Sequence, residues 1–111
     1  MIEYRGYRAN NIQFEHTHVV QKLYNNVPQN LYLRLDLANH SPSGFSWGYL
    51  GSGCSQLALA LIADATEDSK LALKYYQEFK KEFVSKFKEA WYLTDKEIKA
   101  WIYSKEYSEI I

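Results

Sequence analysis

The stretch NHSPSGFSWGYLGSG, residues 39–53, holds four of the chain's five glycines and one of its two prolines. Glycine reaches backbone conformations closed to other residues and proline fixes its own φ, so neither suits the interior of a regular element. The stretch therefore divides the chain, and the hydrophobic pattern changes across it. Before it, apolar residues alternate; after it, they recur every three or four residues. Strands followed by helices predict an α+β fold, a small N-terminal antiparallel sheet packed against about three C-terminal helices. A chain of 111 residues has room for one core. The expectation is a single domain over residues 1–111, mainly strands in 1–50 and mainly helices in 53–111.

Residues 2–8, IEYRGYR, read as a short strand in which Gly6 marks a bend or a close backbone approach. Residues 11–27 fit a strand through Ile12, Phe14 and His16, and a helix through Val19, Val20, Leu23, Tyr24 and Val27; strand is preferred. In LYLRLDL, residues 31–37, four leucines alternate with Tyr32, Arg34 and Asp36, as on a half-buried strand. Ser41, Pro42, Ser43 and Gly44 suit a turn, after which Phe45, Trp47 and Tyr49 would share one face of a return strand. Residues 57–63 lack a polar face and predict a buried central helix, with Ser52 or Gly53 as its N-cap. Residues 68–89 predict one long amphipathic helix with Leu71, Tyr75, Phe79, Phe83 and Phe87 along its stripe. Thr94 and Glu97 then form a capping box for a third helix carrying Ile98, Trp101 and Ile102.

Thirteen basic and thirteen acidic residues cancel, leaving no global field for non-specific binding to nucleic acid or an anionic membrane. All three arginines lie before residue 57 and nearly all lysines after it. A single cysteine, Cys54, excludes an internal disulfide. The longest apolar run is too short to span a bilayer and no leader opens the chain, so a soluble, cytoplasmic protein is expected.

The strongest candidate for chemistry is the glycine loop entering the central helix. Backbone amides of Gly51, Ser52, Gly53 and Cys54 would point outward at a helix N-terminus, where the dipole favours an anion. Arg34 would cover a phosphate if its strand pairs with theirs, Trp47 or Tyr49 would stack a planar ring, and His40 flanks the motif; the competing use of the aromatics is core packing, favoured for at least one of Phe45 and Trp47. GYLGSG lacks the lysine and spacing of a P-loop and does not match the dinucleotide-binding glycine pattern. The competing reading is that the glycines only form a tight corner. Cys54, at the start of the helix, could be an activated thiol partnered by His40, or simply a buried one. His16 and His18 offer two ligands on one strand face but no third at recognisable spacing, so neither metal nor cofactor is expected. Asp36, Asn39, His40 and Ser41 carry no nucleophile-elbow pattern, and no acid, base and nucleophile assemble from the sequence. A binding protein is therefore expected ahead of an enzyme.

The segment LRLDLANHSPSGFSWGYLGSGCSQLALALI resembles the signature of a family of uncharacterised small proteins, a domain of unknown function, of bacteria, phages and plasmids. The matching residues are 34–37, 39–42, Gly44, Phe45, 47–49, 51–53 and 56–60, continued by YQEFK at 76–80. The resemblance implies a shared fold and a setting in bacteria and mobile elements. Where this chain has Cys54 the family shows proline, which suits the first helical position. That implies Gly53 as the N-cap and a thiol that the family's chemistry does not require.

Together these readings predict a small non-catalytic protein that captures a nucleotide-like or other anionic ligand at the GSG loop, and could thereby sequester a host-defence signal. Its site would comprise Arg34, His40, Trp47, Tyr49, Gly51, Ser52, Gly53 and Cys54. The alternative is a protein-interaction module, such as an anti-CRISPR-like inhibitor of a host-defence complex. Its surface would include some of Tyr4, Tyr7, Tyr32, Tyr103 and Tyr107, since tyrosine offers contact area with a polar tip.

Overall fold

The computed structural model of the chain describes residues 1–9 and 17–110. Strands β1 (Ile2–Ala9), β2 (Thr17–Tyr24) and β3 (Val27–Asn30) precede helices α1 (Ser52–Thr66) and α2 (Ser69–Glu82). A 3₁₀ turn (Val84–Lys86), strand β4 (Trp91–Thr94) and helix α3 (Asp95–Ile110) complete the chain. The strands form one antiparallel sheet in the order β3-β2-β1-β4, so the α+β expectation holds. The strand preference holds for Thr17–Tyr24; residues 11–16 of that ambiguous segment lie outside the described residues. Strand β4 was not foreseen, because four residues between two helical patterns are too few to establish a period of two.

One face of the sheet meets the helices. On it Tyr4 stands opposite Lys22 and Leu93, and Gly6 opposite Val20 and Trp91. Gly6 is a site of close approach: a Cβ there would lie 2.2 Å from Trp91 Nε1. Helix α1 is central, with Leu57, Ala58, Leu59, Ala60, Leu61 and Ile62 fully buried. They join Tyr4, Val20, Trp91 and Leu93 of the sheet, Tyr75 and Phe79 of α2, and Ile98 and Ile102 of α3 in one core. An all-round apolar helix needs neighbours on every side, and this arrangement supplies them. Gly51, in extended conformation, is the N-cap of α1, in place of the expected Ser52 or Gly53.

Residues 31–37 are not a strand. Arg34 takes a left-handed φ of 59°, and its carbonyl accepts from the amides of Leu37 at 3.1 Å and Ala38 at 3.5 Å. The amide of Leu31 reaches the sheet, donating to the Val20 carbonyl at 3.5 Å; beyond it the loop folds around the fully buried Gln56. Gln56 Oε1 accepts from the amides of His40 (2.8 Å) and Ser41 (3.1 Å), while Nε2 donates to the carbonyls of Leu33 (2.5 Å) and Ala38 (3.1 Å). Four backbone groups of the loop are thus satisfied by one side-chain amide.

The return strand expected after the Ser41–Gly44 turn is also absent, although the turn itself closes through Gly44 N to Ser41 O at 3.4 Å. Residues 45–48 run as an irregular ribbon, with Ser46 N donating to Gly53 O and Gly48 N to Val84 O. Gly48 has φ of 89°, which breaks any strand there. Helix α2 stops at Glu82, seven residues short of the expected end. Beyond it the backbone tightens so that Val84 enters the core and Phe87 stacks on Trp91 at 4.6 Å. The Thr94–Glu97 capping box forms as expected, with reciprocal 3.2 Å bonds.

Candidate functional site

The glycines of the GSG loop first explain local packing. A Cβ on Gly53 would sit 2.8 Å from Ser46 Cβ and 3.0 Å from Ser46 N, so the absent side chain lets the 45–46 backbone lie against the first turn of α1. A Cβ on Gly51 would fall 2.3 Å from the ring of Tyr49, which rests on the loop. The glycines thus make a tight corner, and the corner forms part of the wall of a groove.

Two adjoining grooves open here and share His18, Ser46 and Tyr49. Among the described residues the first, of about 400 Å³, is lined by Arg8, His18, Ser46, Tyr49 and Glu89. The second, of about 300 Å³, has Ser41, Ser43, Ser52 and Gly53 in its wall and reaches the N-terminus of α1. Arg8 lies at the end of β1, on the face that carries Tyr4 and Gly6, and pairs in register with His18 of β2. Its guanidinium stands 5.7 Å above the Trp47 ring, and its Nε donates to His18 Nε2 at 3.2 Å. One terminal nitrogen reaches Glu89 Oε1 at 2.6 Å.

Of the expected site residues, Tyr49, Ser52 and Gly53 line the grooves. Gly51 carries Tyr49 from behind. Trp47 is fully buried and cannot stack a ligand: its Nε1 donates to the Lys88 carbonyl at 2.7 Å, and its ring meets His18 and Trp91 edge-on. It supports Arg8 and His18 from below. Arg34 lines neither groove; it grips Asp36 through two 3.0 Å bonds, and that contact holds the Asp36 carboxyl below its ordinary range. His40 is likewise turned elsewhere, its Nε2 2.8 Å from Tyr76 Oη. Cys54 is fully buried, which fits the buried-thiol reading and places it away from solvent.

The sequence reading missed Arg8, Ser46 and Glu89, and considered His18 only as a metal ligand. Arg8 did carry a signal: it is in phase with Tyr4 and Gly6 on what must be the covered face of β1. His16, the other half of the HxH pair, lies outside the described residues. Among the described residues no three His, Cys, Asp or Glu side chains gather as a metal site would require. No described helix is long and apolar enough to cross a membrane.

Of the five tyrosines from which a binding surface could draw, Tyr4 is fully buried. Its hydroxyl donates to Asp64 Oδ2 at 2.5 Å, and Lys22 Nζ donates to the other carboxylate oxygen at 2.9 Å. Burial, and next the Asp64 hydrogen bond, push the Tyr4 phenol far above its ordinary pKa. Tyr7, Tyr32, Tyr103 and Tyr107 are exposed.

No curated protein and no solved structure matches the chain. A family model does match, over residues 4–104, from within β1 to within α3. The chain belongs to that family, the family of unknown function DUF6166.

Proposed function

We propose that this protein is a small non-catalytic binding protein whose groove at Arg8 and Tyr49 captures an anionic, nucleotide-like ligand. The observation that carries the reading is the mounting of Arg8. Its guanidinium is braced by the Trp47 ring beneath and by His18, at the edge of an open groove. A preorganised guanidinium loses little freedom on gripping a phosphate or carboxylate. Ser46 and Ser52 add hydroxyls, the groove reaches the N-terminus of α1 where the helix dipole favours an anion, and the half-exposed Tyr49 adds a ring for stacking. The expected role moves accordingly from Arg34 to Arg8 and from Trp47 to Tyr49. In the bacterial, phage or plasmid setting that the sequence resemblance implies, such a protein sequesters a nucleotide-derived host-defence signal.

A thermal-shift screen of mononucleotides, cyclic and linear oligonucleotides, ADP-ribose derivatives and inorganic phosphate tests this. A ligand at a hundred times its Kd stabilises the native state by about 2.7 kcal/mol. The shift should disappear in Arg8→Ala. No shift across the panel, or one that survives Arg8→Ala, sinks the proposal.

The second reading is a protein-interaction module of the host-defence-inhibitor kind. It is favoured by Tyr103, Tyr107 and Ile110, all exposed and spaced so that they share one face of α3. Tyr103→Ser with Tyr107→Ser should then abolish co-purification of the partner and leave nucleotide shifts intact.

A further inference from the structure

Arg8 meets any incoming anion already paired. Glu89 holds one of its terminal nitrogens at 2.6 Å, and the Glu89 side chain is 80% exposed, so water replaces that pairing at small cost. Paired or not, Glu89 belongs to the wall of the same groove as Arg8, so its carboxylate is within reach of whatever meets that guanidinium. A bare anion on Arg8 would therefore sit beside a second negative charge, which opposes binding. A ligand that brings N–H donors along with its anion avoids this conflict by replacing both halves of the pair, its anion meeting Arg8 and its donors meeting Glu89.

Tyr49 indicates what kind of scaffold carries those donors. Its ring is backed by Gly51, lines the same groove as Arg8 and Glu89, and keeps 54% of its surface exposed. That surface suits a planar ring. A guanine base presents two adjacent N–H donors on one edge, N1–H and the 2-amino group. They match the two oxygens of a carboxylate as a guanidinium fork does.

Building on the anion-binding reading above, we propose that Glu89 is a specificity-determining residue that makes the groove select guanine nucleotides over adenine nucleotides and over inorganic phosphate.

Titration calorimetry of the full chain with GMP, IMP, AMP and inorganic phosphate, repeated on Glu89→Gln, tests it. The exposed position of Glu89 leaves folding intact, which far-UV circular dichroism checks. Hydrogen bonds to a charged partner discriminate by about tenfold or more. GMP should bind at least tenfold tighter than AMP, with IMP, which keeps only one donor, between them. In Glu89→Gln the GMP and AMP affinities should converge to within about threefold, while phosphate binds no worse. Equal GMP and AMP binding to the parent protein, or a GMP preference that survives Glu89→Gln, overturns this proposal and leaves the anion groove standing. Absence of binding by all four probes overturns the guanine proposal, and the wider ligand panel then decides whether the anion groove falls with it.

Discussion

Gln56 shows how much a single side chain organises here. It was legible only as one position in a helix, because its four partners lie 15 to 23 residues upstream and no period points to them. The leucines at 31, 33, 35 and 37 imitated a strand so well because alternation reports which side chains seek cover, and Leu31 does find it. What the alternation does not report is where the backbone bonds go. Replacing Gln56 with Leu strands two amides and two carbonyls, each costing about 1–3 kcal/mol where water does not reach. The expected loss is about 3 kcal/mol or more, a fall in Tm of roughly 12 °C or more at about 4 °C per kcal/mol. A denaturant titration showing less than about 1 kcal/mol would mean that water replaces the amide in full.

Gly53 offers a second test at this scale. Alanine normally favours a helix by up to about 1 kcal/mol over glycine. Here its Cβ would press on Ser46 backbone and Cβ at 3.0 and 2.8 Å, so Gly53→Ala should destabilise, by about 1–3 kcal/mol. Tyr4 adds a dependence on pH. Its folded pKa is raised, so its contribution is fully present below the unfolded value of about 10 and is lost as pH climbs above it. Stability measured from pH 8 to 11 should fall on the alkaline side, and Tyr4→Phe should flatten that limb. A limb unchanged in Tyr4→Phe would place its cause in other tyrosines or lysines.

Among the elements, the helices were the legible part, since their signals are local. Residues 57–63 had no polar face, and Thr94 and Glu97 sat three apart before an apolar run. The end of α2 was not legible, because Phe83 and Phe87 continue its stripe in sequence while their rings serve different neighbours, Phe79 and Trp101 for one and Trp91 for the other. The groove depended on elements remote in sequence: β1, β2, residues 46–53 and Glu89. Helix α3 is secured unevenly. Asp95, Ile98 and Ile102 are its buried residues, whereas Lys74 with Glu106 and Glu109, and Lys105 with Glu78 and Glu82, tie its later turns to α2 across solvent. Salt screens exposed pairs and leaves burial intact. Amides of residues 104–110 should exchange with deuterium faster than those of 98–102, and faster still in 1 M salt or in Lys74→Ala. Uniform protection along α3 would assign its hold to apolar contacts alone.

At the scale of the whole molecule, the core runs unbroken from the inner face of the sheet through α1 to α2 and α3. A core shared by every layer predicts that the layers unfold together. The three tryptophans report on different parts of it. Trp47 and Trp91 are buried where the irregular ribbon and β4 meet, whereas Trp101 packs from α3 against Tyr75, Phe79 and Phe83 of the α2 region. Urea unfolding followed by fluorescence and by far-UV circular dichroism should therefore give coincident midpoints. Trp101→Phe removes the α3 reporter and keeps a ring in its place, so the remaining fluorescence comes from the sheet side only, and its midpoint should still coincide with the helical signal. The alternative has a distinct signature. If α3 detached first, parent fluorescence would change ahead of the Trp101→Phe signal, and the helical ellipticity would fall in two steps. Trp101→Ala separates cost from cooperativity: losing the ring contacts should lower stability by about 3 kcal/mol, while both probes keep a shared midpoint because α3 stays joined to the core through Ile98 and Ile102.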